Sequence, residues 1–139
     1  MSDVMLLQGH DLRKTYILGK TEVPVLHGAS ISVDEGSWVS ILGSSGSGKS
    51  TLLHLLGGLD RPDSDSGQVL YKGRSVWEQS QRAINAYRNN DIGFVFQFYH
   101  LLPELTVLEN ASLPAMIGNA NEDGAERAEQ LLTRFGLAH

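Results

Sequence analysis

The chain contains 139 residues, of which 41% are hydrophobic and 19% are charged. This length and composition suit one globular domain and exclude a disordered or fibrous protein. The formal net charge of −5 disfavours a protein whose whole surface binds nucleic acid. The absence of cysteine excludes a disulfide scaffold, a cysteine-ligated zinc site and a thiol nucleophile. The chain has no apolar run of the roughly 20 residues that span a bilayer and no signal-peptide pattern, so we expect a soluble, cytosolic domain.

Four segments of the chain have patterns that are typical of β-strands. Apolar and polar residues alternate over residues 29–33, and the Asp-Glu-Gly run at 34–36 predicts a turn after them. The apolar run at 38–42 ends at a glycine and predicts a strand that is buried on both faces. Residues 68–71 and 92–96 predict two further strands.

Helical patterns alternate with these strands. The leucine-rich residues 50–56 predict a helix that ends at Gly57-Gly58, and residues 78–89 predict an amphipathic one. Thr106 and Glu109 form a capping box, which opens a third helix and explains Glu109 better than a role as catalytic base. The apolar stripe at 125–135 predicts a fourth helix, closed by Gly136, after a polar linker at 118–124. The alternation predicts an α/β fold, with a loop at 60–67.

Residues 43–50 match the pattern G-x-x-x-x-G-K-[ST] of a phosphate-binding loop, or P-loop. Glycines let the backbone amides converge on a phosphate chain, and the next helix presents free N–H groups and the positive end of its dipole. Lys49 adds a charge for the β- and γ-phosphates, and the Ser50 hydroxyl is suited to Mg²⁺. The alternative is a Gly/Ser-rich turn that happens to precede a lysine. The apolar run before the loop and the leucine-rich helix after it favour phosphate binding.

A P-loop alone does not separate kinases, GTPases, motors and transport ATPases, but further motifs follow it in order. They are residues 43–53, Gly57-Gly58-Leu59, residues 66–69 with Gly73, residues 93–97, residues 101–103 and residues 105–110. Across essentially the whole chain this set resembles the ATP-binding cassette (ABC) family, the ATPase subunits of membrane transporters. Residues 97–103 are most similar to the lipoprotein-releasing ATPases, with macrolide exporters and a cell-division ATPase as near relatives.

The resemblance implies a RecA-like P-loop core with an N-terminal antiparallel β region and the start of a helical subdomain. Residues 1–97 then form the nucleotide-binding core, and residues 98–139 begin the helical subdomain. The resemblance also implies ATP and Mg²⁺ as cofactors. The residues predicted to bind ATP are Tyr16, Gly43, Ser44, Ser45, Gly46, Ser47, Gly48, Lys49, Ser50 and Thr51.

Individual roles follow from the same resemblance. Tyr16 is expected to stack on the adenine, with packing in the core as the alternative, and Thr51 is expected at the α-phosphate. Lys49 and Gln97 are the predicted catalytic residues, and Ser50 and Gln97 are the predicted Mg²⁺ ligands. The resemblance also implies that Gln97 contacts the attacking water and that the loop after it contacts the membrane subunits.

The 139 residues contain no Leu-Ser-Gly-Gly-Gln signature, no later strand that ends in Asp-Glu and no switch histidine. Asp34-Glu35 is not that strand end, because it precedes the P-loop and reads as a turn. We therefore expect the parent protein to hydrolyse ATP and this chain alone to bind nucleotide without turnover. Its core also lacks the strand that the family places beside residues 38–42, so we expect poor stability or self-association.

The resemblance further implies a head-to-tail homodimer on the cytoplasmic face of the inner membrane, with no nucleic-acid partner. Two alternatives stay open at this point. One is a soluble ABC ATPase of DNA repair or translation, and the other is a nonhydrolytic nucleotide-binding fragment. The five histidines show no metal-ligand spacing, and Trp38 and Trp77 are expected to pack against other residues.

Overall fold

The computed structural model describes residues 5–117 and 124–137. The chain divides into two compact units, Met1–Arg88 and Asn89–His139. The first unit contains an antiparallel sheet and the helix that follows the P-loop, and the second contains two helices. The predicted boundary after Gln97 therefore falls inside the second unit, and the assignment of residues 98–139 to a helical subdomain stays a prediction.

A long β-hairpin dominates the first unit. Strand β1 is Met5–Leu18, and it pairs antiparallel with β2, Thr21–Asp34. Two residues join them, of which Gly19 adopts a positive φ of 64°, as tight hairpin turns require. The hairpin confirms the predicted N-terminal antiparallel region, although sequence patterning identified only residues 29–33 as strand.

Two short strands extend the sheet on the other side of β1. Strand β3, Gln68–Tyr71, pairs antiparallel with β1 and confirms the prediction, whereas β4, Arg74–Ser75, was not predicted. Lys72 and Gly73 join them with positive φ values of 49° and 74°, the combination found in type I′ hairpin turns. The strand order of the sheet is β2-β1-β3-β4.

Helix α1, Lys49–Leu56, confirms the helix predicted after the P-loop and contacts both long strands. Leu52, Leu55 and Leu56 are its buried residues. The largest fully buried side chains of the unit come from β1, α1, β3 and the residue that follows β4; they are Leu12, Leu55, Val69 and Val76. Burial of these side chains holds α1 against the sheet, because each Å² of apolar area removed from water stabilises the fold by about 25 cal/mol.

The second predicted helix is shorter than expected. Helix α2, Gln81–Ala86, begins where the Ser80 hydroxyl accepts a hydrogen bond from the amide of Ala83 at 3.3 Å, and it continues as a π-helical turn, Tyr87–Asp91. The buried Tyr87 hydroxyl donates to the Leu56 carbonyl at 2.6 Å. This bond satisfies a carbonyl at the end of α1 that has no partner within its own helix.

Residues 38–42 and 92–96 are not strands, and both predictions are wrong. A strand buried on both faces needs a neighbour on each side to pair its backbone groups. Within residues 5–117 and 124–137 the sheet consists of β1 to β4, and neither segment joins it. Trp38 is 93% exposed and Val95 is 100% exposed, so the expected packing of Trp38 is wrong as well. The turn predicted at 34–36 is confirmed by a 3.2 Å hydrogen bond from the Ser37 amide to the Asp34 carbonyl.

The second unit contains the two helices that the capping signals predict. Helix α3, Val107–Ile117, opens with a reciprocal cap: the Glu109 carboxylate accepts from the Thr106 amide at 2.7 Å, and the Glu109 amide donates to the Thr106 hydroxyl at 3.2 Å. Helix α4, Gly124–Arg134, packs against α3 and buries Ala128. Gly136 closes α4 with a φ of 73°, as a left-handed helix cap does. The predicted linker at 118–124 lies, except for Gly124, outside the described residues.

The predicted loop at 60–67 is confirmed, and it is bonded along β1. The amides of Asp63 and Gly67 donate to the carbonyls of Arg13 and Asp11 at 3.0 and 2.9 Å. The Lys14 ammonium pairs with the Asp60 carboxylate at 2.7 Å. Because this loop connects α1 to β3, its bonds to β1 fix the position of the helix relative to the sheet.

We expect Gly67→Ala to destabilise the chain by roughly 2–3 kcal/mol. A Cβ at this position would lie 1.8 Å from the backbone oxygen of His10, so the loop and β1 would have to separate. Urea denaturation measures the free energy of unfolding. Gly93→Ala is the matched control, because a Cβ there meets no described heavy atom within 4 Å. Equal stability losses in the two variants would contradict the close-approach argument.

Because of the Lys14–Asp60 pair, we expect part of the free energy of unfolding to depend on pH. Burial raises the pKa of Asp60, but hydrogen bonds from Lys14, Tyr16 and the Arg61 amide outweigh it, so the pKa is below its ordinary value. A carboxyl with a lowered folded pKa stabilises the fold above the unfolded pKa of about 4, and the contribution disappears as pH falls through the folded value. The difference in free energy of unfolding between the wild type and Asp60→Asn should therefore be largest near neutral pH and shrink in acid. A difference that is independent of pH would contradict this assignment.

Candidate functional site

The P-loop follows the unpaired segment 38–42 and leads directly into α1. Residues 43–47 are exposed, and Gly48 is half-buried against β2. Gly48 adopts a φ of 86°, and a Cβ there would lie 2.8 Å from the Leu26 side chain and 3.2 Å from the Val25 carbonyl. Only glycine combines this backbone conformation with so close an approach. The hairpin therefore sets where the loop turns into the helix.

The loop wraps around the ammonium group of Lys49. The Lys49 Nζ donates to the backbone oxygens of Gly43 and Ser44 at 2.9 and 2.5 Å and to the Ser47 hydroxyl at 3.3 Å. An ammonium has three protons, so these bonds employ its full donor capacity. The positive charge consequently lies at the centre of the loop, where the phosphates of a bound nucleotide would meet it.

The start of α1 adds a second attraction for anions. No side chain caps its N-terminus at Gly48, and its first turn contains no acidic residue. The first N–H groups of a helix have no intrahelical partner, and the helix dipole places partial positive charge there. Ser50 is exposed in this turn, so its hydroxyl is accessible to a ligand or cation. The loop, Lys49 and the helix start together provide the groups that an anion site requires, and binding of an anion there stays a prediction.

Tyr16 lies on β1, and its side chain contacts α1 close to the P-loop, at Thr51. Its hydroxyl donates to the Asp60 carboxylate at 2.9 Å and interacts with the Thr51 side chain. Burial raises the pKa of Tyr16, and the neighbouring Asp60 carboxylate adds to the increase while Thr51 opposes it. The phenol therefore stays neutral and acts as a donor. Because its ring is half-buried, Tyr16 is outside the fully buried core, and its stacking on a base stays a prediction.

Gln97 belongs to the second unit, in an exposed segment without regular structure. Tyr16 and residues 43–51 all belong to the first unit. The predicted roles of Gln97 in catalysis and in Mg²⁺ binding therefore stay predictions. Within residues 5–117 and 124–137, no group of three or more histidine and acidic side chains is arranged to hold a metal ion.

Sequence reasoning missed Lys14 and Asp60 as neighbours of Tyr16. Lys14 Nζ lies 5.2 Å from the centre of the Tyr16 ring and 2.7 Å from the Asp60 carboxylate. Asp60 belongs to a run of turn-forming residues and is 44 positions away from Tyr16. No local pattern connects residues at that separation, so only the folded chain shows the contact.

Curated relatives match nearly the whole chain. The lipoprotein-releasing system ATP-binding protein LolD of Geobacter metallireducens is 49% identical over 96% of this chain and 59% of its own length. LolD of Maricaulis maris is 48% identical over 99% of this chain and 59% of its own length. The chain thus spans about 59% of the length of these relatives. In the part of the chain that the structure describes, no helix has the length and hydrophobicity needed to cross a membrane.

Solved structures show the same fold. The ATP-binding cassette MJ0796, in a dimeric post-hydrolysis state with ADP and Pi, matches with a TM-score of 0.78 and 33% identity, over 92% of this chain and 56% of that one. The ATP-binding subunit of an ABC transporter matches with a TM-score of 0.71 and 30% identity, over 95% of this chain and 51% of that one. The profile of the ABC transporter family matches residues 26–139. With the P-loop geometry, these matches establish that the chain belongs to the ABC transporter family.

Proposed function

We propose that this chain binds ATP with Mg²⁺, and that the protein it belongs to is the ATP-hydrolysing subunit of a transporter that releases lipoproteins. The observation that carries the proposal is the Lys49 ammonium, enclosed by the P-loop at the uncapped start of α1. The identity with LolD proteins, near one half, supports the choice of lipoprotein release over other exports.

The triphosphate is the part of ATP that this site is built to hold. Lys49 exchanges its bonds to loop oxygens for bonds to the β- and γ-phosphates, and the loop amides and the first turn of α1 donate to the remaining oxygens. Thr51 contributes at the α-phosphate. Such contacts position the phosphates and offset their charge, which is the main contribution that proteins make to phosphoryl transfer.

Mg²⁺ fits the donor chemistry of Ser50. Its exposed hydroxyl is a hard, neutral oxygen donor of the kind that Mg²⁺ accepts beside phosphate oxygens and water. The Gln97 amide oxygen is a donor of the same kind in the second unit, and its part in the site rests on the family resemblance alone. When bound, the ion neutralises charge that develops between the β- and γ-phosphates. Gln97 in addition orients the attacking water in the whole protein.

Hydrolysis is a proposal for the whole protein rather than for these 139 residues. Their sequence contains neither the signature motif nor an Asp-Glu strand end after the P-loop. We therefore propose that the chain alone binds ATP without steady-state turnover, and that turnover requires a head-to-tail pair of complete subunits. Measurable turnover by this chain, lost in Lys49→Ala, would contradict that part of the proposal.

The segment after Gln97 is the proposed contact with the membrane subunits. Phe98 and Tyr99 are 69% and 90% exposed, and Leu101 is 62% exposed. Adjacent exposed apolar side chains are typical of protein interfaces. We propose that this contact holds the protein at the cytoplasmic face of the inner membrane. The alternative of a soluble ATPase acting on DNA or in translation is disfavoured by the net charge of −5 and by the LolD matches.

We expect Lys49→Ala to weaken binding of MgATP by roughly 100-fold, because two charge-assisted hydrogen bonds to phosphate contribute about 3 kcal/mol. Titration calorimetry on the purified chain measures the affinity. Lys20→Ala is the matched control, since Lys20 is an exposed lysine in the hairpin turn. Unchanged affinity in Lys49→Ala, or an equal loss in Lys20→Ala, would contradict the proposed site.

Replacing Tyr16 tests the site of the base. Loss of an aromatic stacking partner is worth about 0.5–1.5 kcal/mol, so Tyr16→Ala should weaken MgATP binding by roughly 2- to 10-fold. The same calorimetric titration measures the change, with urea denaturation in parallel. If Tyr16 only packs in the protein, the variant loses stability while the affinity of the folded protein stays unchanged.

A further inference from the structure

The Asp60 carboxylate accepts hydrogen bonds from three groups, the Lys14 ammonium, the Arg61 amide and the Tyr16 hydroxyl. One oxygen, Oδ1, accepts from Lys14 Nζ at 2.7 Å and from the Arg61 amide at 2.8 Å. The other oxygen, Oδ2, accepts from the Tyr16 hydroxyl at 2.9 Å. A carboxylate with one oxygen fixed by a cation and an amide has little freedom to turn, so its second oxygen is a fixed acceptor for the phenol.

Lys14, on β1, fixes the position of the Asp60 carboxylate. Besides Asp60, its ammonium donates to the Arg61 carbonyl at 2.7 Å, and it lies 5.2 Å from the centre of the Tyr16 ring. The Lys14 side chain is only 13% exposed. An ion pair that is shielded to this degree and shares further hydrogen bonds is less screened by solvent than a surface pair.

The backbone fixes Asp60 relative to the P-loop helix. The Asp60 amide donates to the carbonyl of His54 in α1 at 3.2 Å, and the loop that follows is bonded to β1 through Asp63 and Gly67. Asp60 is therefore attached to the helix that begins at Lys49 and to the strand that carries Tyr16. The position of Asp60 therefore depends on both elements.

We propose that Asp60 is a positioning residue that fixes the orientation of the Tyr16 ring for the base of ATP. This inference rests on the proposed function, in which Tyr16 stacks on the adenine. A tyrosine ring turns about two side-chain torsions, and a hydrogen bond at its far end removes most of that freedom before the ligand arrives. A ring that is already ordered does not have to be immobilised when the base binds. Asp60 acts through Tyr16 and does not itself touch the nucleotide.

The test compares two ligands that share the phosphates and differ in the base. The affinities of Asp60→Ala and Tyr16→Phe for MgATP and for inorganic triphosphate with Mg²⁺ are measured by calorimetry. We expect both variants to bind MgATP roughly 2- to 3-fold more weakly than the wild type, at the lower end of the range for Tyr16→Ala, because the ring remains and only its ordering is lost. Asp60→Ala should bind triphosphate as the wild type does, because Lys49, the loop and the contact between Tyr16 and Thr51 are intact. Tyr16→Phe also removes the contact with Thr51, so its loss for triphosphate should be smaller than its loss for MgATP. Asp65→Ala is the control, an exposed aspartate of the same loop.

Two further variants separate positioning from a general structural effect. The double variant Asp60→Ala with Tyr16→Phe should bind MgATP no more weakly than the weaker single variant, because both changes remove the same hydrogen bond. Asp60→Asn keeps an oxygen acceptor for the phenol and should recover part of the lost affinity. If Asp60→Ala does not fold, Tyr16→Phe, which removes a single oxygen atom, carries the test.

The outcomes are distinguishable from failure of the proposed function. Equal losses for MgATP and triphosphate would show that Asp60 supports the whole unit, and this would overturn the inference. Unchanged MgATP affinity in both single variants, or additive losses in the double variant, would overturn it as well. A wild-type chain that binds neither ligand would overturn the proposed function and this inference together.

Discussion

One ammonium group organises the candidate site. The Lys49 side chain is directed back into the loop that precedes it and joins the two ends of that loop through Gly43, Ser44 and Ser47. This is possible because α1 begins at Lys49 and Gly48 turns the chain with a positive φ against β2. The long hairpin, the loop and the helix are therefore parts of one arrangement, in which strand packing decides where a positive charge is held.

The loop at 60–67 completes that arrangement from the other end of α1. It leaves the helix, is bonded along β1 through Asp63 and Gly67, and enters the sheet as β3. Tyr87 satisfies the Leu56 carbonyl where the helix ends. Both ends of a helix of eight residues are thus held by long-range contacts. A helix this short is not stable by itself in water, so these contacts account for its order.

Sequence reasoning predicted the features that depend on local chemistry. The P-loop, the Thr106–Glu109 cap and the glycine end of α4 were identified because the residues that create them are neighbours in the chain. The predictions that were wrong concern the pairing of strands. Residues 38–42 have the composition of a buried strand, but composition does not supply the adjacent strand that its backbone needs. Asp60 was missed for a related reason, since its ion pair with Lys14 spans distant positions.

The contacts of the enclosed Lys49 charge also have a consequence for the kind of ion that the loop would favour. In this structure the ammonium is already solvated by protein oxygens, so entry of an anion is an exchange of ligands and not a simple attraction. A small monovalent ion such as chloride makes a single contact with the ammonium, so it compensates for few of the lost contacts with loop oxygens. A polyphosphate offers several charged oxygens along a chain and can replace those contacts while engaging the loop amides as well. The Lys49 contacts would therefore favour a ligand with several charged oxygens over a small monovalent ion.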